Sequence, residues 1–181
     1  MTPPLRSDRL LLEAYVPADE DDFVALFMDA KVSRWMGDGP WPEAEYRATF
    51  ARIFTHAYQS ENFDVWAVRQ GSRMVGHAEI KPAKVVEGHE LVYGLAPEVW
   101  GRGLGTELAQ TVTAYGFETL NLEQVYATVA EPNVASLAAL RKLGFRHVRD
   151  IAEDDGTITH LLSCGRAEQR VSCSGEPEIY R

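Results

Sequence analysis

Leu95-Ala96-Pro97-Glu98-Val99-Trp100-Gly101-Arg102-Gly103-Leu104-Gly105 carries the chain from an apolar run, Leu91 to Leu95, into a helical pattern opened by Thr106 and Glu107. Alternate glycines at 101, 103 and 105 remove β-carbons where a strand hands over to a helix. Amides at a helix start have no partners inside the helix and converge on one point. The helix dipole adds positive potential there, so the natural guest is a phosphate or pyrophosphate. Two common phosphate loops are excluded by spacing. Gly-x-Gly-x-x-Gly does not fit glycines at every second residue, and no Gly-Lys-Ser/Thr closes the run.

Outward from this arm, the order reads strand, two helices, three strands, helix, strand, helix, two strands. Upstream, Glu87 to Leu95 reads as a strand, and Phe63–Val68 and Met74–Ile80 read as two more, joined by the turn Gln70-Gly71-Ser72. Before them, residues 9–16 form a first strand closed by Pro17. A helix follows with acids at Asp19 to Asp22 and a stripe of Phe23, Leu26, Phe27 and Ala30. The segment from Trp35 to Pro42 is an irregular loop, and a second helix then presents Tyr46, Phe50, Ile53, Phe54 and Ala57. Downstream of the arm, Leu104, Leu108, Val112, Tyr115 and Thr119 share one side of a helix, and Val125–Val129 is a strand. A further helix begins near Asn133 and ends at Gly144, a residue suited to the left-handed position after a helix. Phe145–Ile151 and Thr157–Cys164 are paired strands around Asp154-Asp155-Gly156. The expected class is α/β (α+β), with about seven strands and about four helices.

Length and composition set further bounds. At 181 residues, one domain over 1–165 is expected, large enough to bury about 70% of its unfolded surface; 166–181 reads as a loosely ordered polar tail. The start of the chain has no apolar signal segment and no apolar run is long enough to cross a bilayer, so a soluble, cytoplasmic protein is expected, with no membrane partner. A net charge of −9 speaks against nucleic acid and mildly favours cationic substrates. Cys164 and Cys173 lack Cys-x-x-Cys spacing, and histidines 56, 77, 89, 147 and 160 show no metal-ligand spacing, so neither a disulfide framework nor a metal is expected.

The arm resembles the pyrophosphate arm of the GNAT superfamily of acyl-CoA N-acyltransferases, Gln/Arg-x-x-Gly-x-Gly/Ala, with Gly103 and Gly105 at its small positions and Trp100 where Gln or Arg is commoner. The fuller run from His89 to Gly103 is similar to the branch that holds the ribosomal-protein N-terminal acetyltransferases. The resemblance implies a mixed, mostly antiparallel sheet splayed in the middle and acetyl-CoA as co-substrate. It places the pyrophosphate on Gly101, Arg102, Gly103, Leu104, Gly105 and Thr106. Leu95, Ala96 and Pro97 are expected to pair with pantetheine like an added strand, a main-chain N–H near Leu95 facing the thioester carbonyl. Because CoA is anionic, Arg102, Arg141 and Lys142 are the nearest candidate counter-charges.

Acetyl transfer requires that the amine lose a proton, that the thioester oxygen be hydrogen-bonded, and that the thiolate leave. A lysine-like amine has a pKa of about 10.4, so a general base helps. Glu90 is the first candidate, sharing a face with Val92 and Gly94 by strand alternation. Its competing reading is a solvated strand carboxylate, and Glu79 is the second candidate. The resemblance also assigns Asn133 and Ser136, an Asn-x-x-Ser pair, to the CoA arm and to the neighbourhood of the sulfur, although Asn133 reads equally as a helix N-cap. Leu140 stands where many superfamily members carry a tyrosine acid. That leaves Ser136, water or no acid to protonate a thiolate whose conjugate pKa is about 8.5. Trp35, Trp41 and Tyr93 are candidate acceptor-pocket residues, with Tyr93 and Trp66 also readable as core. Acceptors compatible with these readings are a peptide N-terminus, an amino metabolite or a polyamine. The alternative is a CoA-binding sensor without turnover, and a homodimer is compatible with either.

Overall fold

The computed structural model describes residues 2–36, 40–59 and 63–167. Its sheet has eight strands: β1 (Leu5–Arg6), β2 (Leu11–Glu13), β3 (Asp64–Gln70), β4 (Arg73–Pro82), β5 (His89–Leu95), β6 (Gln124–Ala130), β7 (Arg146–Ala152) and β8 (Ile158–Gly165). Their spatial order is β1-β2-β3-β4-β5-β6-β8-β7. Neighbours pair antiparallel except β5 and β6, which are parallel and meet only at His89 with Val125 and Glu90 with Tyr126. Beyond Glu90 the two strands diverge, so the sheet is split through its middle.

Each face is covered by its own helices. On one side lie α1 (Glu20–Met28), α2 (Ala30–Ser33) and α3 (Glu43–Arg52), whose Phe23, Phe27, Val32, Tyr46 and Phe50 pack on Val65 and Ala67. On the other lie α4 (Leu104–Glu118) and α5 (Val134–Lys142), where Leu104, Leu108, Val112, Leu137 and Leu140 pack on Trp66, Ala78, Leu91 and Ala127. Because β5 and β6 run parallel, their connection must cross over the sheet, and α4 makes that crossing.

Two elements exceed the sequence expectation, and each has a local cause. The strand expected over 9–16 is shortened to β2, and ahead of it a turn in which Ser7 N donates to Leu10 O at 3.0 Å folds the additional β1 back on β2. Residues 14–16 leave the sheet, and Tyr15 N donates to the Tyr58 hydroxyl instead. The first helix stops at Asp29, whose backbone is extended and whose side chain caps α2 by accepting from Lys31 N. A π-helical turn, Ile53–Tyr58, extends α3 and sets the Tyr58 hydroxyl to donate to Val65 O at 2.9 Å. Eight strands and five α-helices therefore replace about seven and about four.

Residues 37–39 of the loop and 168–181 of the tail, Cys173 among them, lie outside the described residues. Arg166, expected in the tail, is anchored: its guanidinium donates to Leu122 O and its amide to Glu123 O. Among the described residues no helix is long and apolar enough to cross a membrane.

Candidate active site

The arm begins where β5 ends. Pro97–Val99 make one 3-10 turn, Gly101 and Gly103 take positive φ of 72° and 77°, and α4 starts at Leu104 with Gly103 as its N-cap. No side chain caps this helix start. Among the described residues, none accepts a hydrogen bond from the amides of residues 101–106; the first ladder bond of α4 runs from Glu107 N to Gly103 O. Six consecutive N–H groups at the positive end of a 15-residue helix are thus available to an anion.

Besides Arg102, a second guanidinium reaches the arm from a residue that the sequence pattern does not single out. Arg9 donates through Nη1 to Arg102 O at 2.8 Å, and its Nη2 would lie 3.6 Å from a β-carbon at Gly103. The same guanidinium pairs with Glu107 in the first turn of α4, which also accepts from Ser7 Oγ and Arg9 N. Burial works against the charge on Glu107, but these donors outweigh it and hold the carboxyl below its ordinary range. Arg9 sits 93 residues from Arg102 along the chain, and no spacing signal could have found it. Arg102 is exposed on the arm, while Arg141 and Lys142 lie in the last turn of α5.

The split edge of β5 borders the arm. Ala96 N donates to Val75 O at 2.8 Å, which fixes the alternation of the ladder with β4 and turns the amides of Tyr93 and Leu95 toward the edge that β6 has left. Trp100 Nε1 donates to Leu95 O at 2.7 Å, so the indole ties the strand end to the arm. Ala96 O accepts from Val99 N and Pro97 O from Trp100 N. Ala96 and Pro97 thus have main-chain groups engaged within the chain, while among the described residues none accepts from the Leu95 amide.

The two faces of β5 carry different chemistry. Tyr93 lies on the α4 and α5 side, against Gly105, with its hydroxyl 3.0 Å from Ser136 Oγ across the split. It therefore does not share the Glu90 face. Burial raises the Tyr93 pKa, partly offset by the Ser136 hydrogen bond. Asn133 caps α5, its Oδ1 accepting from Ser136 N at 3.2 Å.

Glu90, Val92 and Gly94 face the opposite way, beside Lys81, Glu79 and His77 on β4. Glu90 is 6% exposed, so it is not a solvated strand carboxylate. Burial raises its pKa, Lys81 pulls it down, Glu79 pushes it up again and Lys84 opposes. Glu79 behaves differently. Burial alone would raise its pKa, but His77 Nε2 at 2.9 Å and Lys81 Nζ at 2.6 Å hold it at about 2. The other ring nitrogen of His77 meets the Tyr15 hydroxyl at 2.9 Å within a nest of Phe23 and Phe27. A chain Tyr15–His77–Glu79–Lys81 thus lines this face, and Lys81 sits opposite Glu90 in the ladder.

Of the tryptophans, Trp35 is half-buried and stacks under Arg34 at 4.4 Å. Trp41 is exposed, and its amide donates to the Tyr46 hydroxyl. Trp66 is core, with Nε1 donating to Pro3 O. From the loop, Met36 approaches β5: its sulfur would lie 3.6 Å from a β-carbon at Gly94.

A sheet split beside an open, glycine-built helix start is the architecture of the GNAT fold. Residues 9–146 match the family model described as the acetyltransferase (GNAT) domain, and the chain belongs to that family. It is an N-acetyltransferase. It is 29% identical over 149 residues to the Bacillus subtilis (strain 168) protein named uncharacterized N-acetyltransferase YoaA, covering 81% of this chain and 84% of that one. Spermidine N-acetyltransferase from Vibrio cholerae, solved with CoA and spermine, superposes with a TM-score of 0.78 at 16% identity, over 91% of this chain and 99% of that one. RimJ from Mycobacterium smegmatis, solved with CoA-disulfide, gives 0.75 at 19% identity, over 92% and 87%.

Proposed function

We propose that this protein transfers the acetyl group of acetyl-CoA to a primary amine by direct attack within a ternary complex. The observation that carries the reading is the run of six open amides at residues 101–106, set beside a split in the sheet that has a buried carboxylate on one face and a hydroxyl pair on the other. The site fits CoA: bare backbone and Arg9 suit a diphosphate, and the open Leu95 amide suits a thioester oxygen. Acetyl-CoA supplies the activated acyl group and a thiol leaving group.

The chain's own residues then divide the work. Amides of 101–106 bind the diphosphate, with Arg9 balancing its charge. The Leu95 amide donates to the thioester oxygen as negative charge gathers there; loss of one such donor typically costs roughly 3 kcal/mol of barrier. Glu90, its carboxyl raised by burial, accepts the proton that the amine must shed, directly or through water. Ser136 donates a proton to the departing sulfur, and Tyr93 returns one to Ser136 through their 3.0 Å contact. That pair stands in for the tyrosine acid absent at Leu140. With Oδ1 capping α5, Asn133 has its NH₂ group to offer the CoA arm.

Acceptors consistent with the site are small amines, polyamines among them, or a peptide N-terminus. The acidic chain and Glu79, kept ionised in the acceptor face, favour cationic ones. The deciding experiment is thiol release from acetyl-CoA across a panel of polyamines, amino acids and short peptides. Amine-dependent release is expected for at least one class. Acetyl-CoA binding with no release for any amine would replace the enzyme reading by the CoA-sensor reading.

A further inference from the structure

The outer edge of the sheet holds a side-chain cluster that acyl transfer does not use. Among the described residues, strand β7 is the last strand of the sheet and pairs only with β8. Strict alternation would put His147 and Asp150 on opposite faces, since three positions separate them. The register slips between them: His147 faces Leu162, Arg149 faces Leu161 and Asp150 faces His160. Val148 is the extra residue of a β-bulge, and beyond it His147, Asp150 and His160 share one face.

On that face the three side chains converge on one atom. His147 Nε2 lies 2.6 Å and His160 Nδ1 2.7 Å from the same oxygen, Asp150 Oδ1. All three donor atoms lie within 4.8 Å of one another, and the two rings stand 5.3 Å apart at 81°. We infer that His147, Asp150 and His160 form a binding site for a borderline divalent metal ion of the zinc class, clipping β7 to β8.

The donor set makes the choice of ion. Two imidazoles and one carboxylate suit zinc, nickel or copper, whereas calcium and magnesium prefer oxygen alone. Donor atoms around tetrahedral zinc sit about 2.0–2.1 Å from the ion, hence about 3.3 Å apart, so the two His–Asp distances must open by about 0.6 Å while the imidazole nitrogens settle to the same spacing. His147 and Asp150 can yield, being 52% and 56% exposed, while His160 at 18% is the fixed ligand. Their exposure also leaves solvent to complete the coordination. Exposed Glu153, Asp154 and Asp155 at the hairpin turn add negative potential that draws a cation in. Ligands three and ten residues apart match no metal spacing in sequence; the bulge and the strand register bring them together.

The test uses the tag-free full chain carrying Cys173→Ser, titrated with zinc alone against a chromophoric chelator and followed by thermal unfolding. Expected are one zinc per chain at micromolar affinity and, at tenfold excess over Kd, a rise in Tm of about 3–6 °C. His147→Ala, which removes a half-exposed side chain, and Asp150→Asn should each weaken binding at least tenfold while leaving the metal-free Tm unchanged. Cobalt in place of zinc should give a visible ligand-field spectrum that His147→Ala alters. No saturable binding up to millimolar zinc, binding indifferent to His147→Ala and His160→Ala, or an equal Tm rise with magnesium would each overturn the inference.

Discussion

The two sides of β5 solve different problems with different materials. On the arm side, residues 101–106 present main-chain amides, and conformation is everything: positive φ at Gly101 and Gly103 and, among the described residues, no capping side chain and no internal acceptor. On the β4 side the groups that matter are side chains, with Glu79, Glu90, His77 and Lys81 packed where burial and neighbours decide their charge. Identical carboxyls separate there. Glu79 is held ionised by two donors, and Glu90, further from them, is raised toward a useful base. A site of backbone tolerates exchange of most side chains, whereas a site of buried charge does not.

The widest expected effect of breaking this contrast comes from Glu90→Gln. It should lower kcat by about 10²–10⁴-fold with little change in the KM for acetyl-CoA. The rate of the parent protein should rise with pH through the raised Glu90 pKa, and that limb should vanish in the variant. Next is Gly103→Glu, which forces a side chain into positive φ and adds a like charge at the diphosphate. A hundredfold or greater loss of acetyl-CoA affinity is expected by calorimetry, on the order of several kcal/mol. Arg9→Ala should weaken acetyl-CoA about tenfold, an effect that shrinks with added salt. Tyr93→Phe should cost kcat only about threefold to tenfold, since the thiolate is already a good leaving group, and Ser136→Ala should not add to it fully.

The acceptor side also predicts an acid response. Glu79 falls from an ordinary 4.5 to about 2 on folding, so its stabilising contribution is complete above pH 4.5 and is lost as pH falls toward 2. Glu79→Gln should flatten the pH dependence of Tm in that window and leave its shape near neutrality unchanged. An unaltered acid limb would mean that the His77–Glu79–Lys81 chain is not formed in solution.

How much of this was legible in the sequence follows from the same contrast. The arm could be read because a backbone requirement writes itself as glycine, and element order could be read because β3, β4, β6 and α4 have clear periods. Arg9, Met36 and the Trp100–Leu95 bond could not, because each joins residues only after the sheet and helices have packed. Alternation was legible in principle: Tyr93, one position from Val92, faces α4 while Glu90 faces away. The additional β1 and the separate α2 escaped for a smaller reason, the local bonds of Ser7 and Asp29.

The most direct measurement is the response of backbone amide resonances to acetyl-CoA. Residues 101–106 and Leu95 should show the largest shifts and new protection from exchange, while the β7–β8 hairpin stays still. Unmoved amides at 101–106, with the shifts clustered elsewhere, would contradict the account at its root.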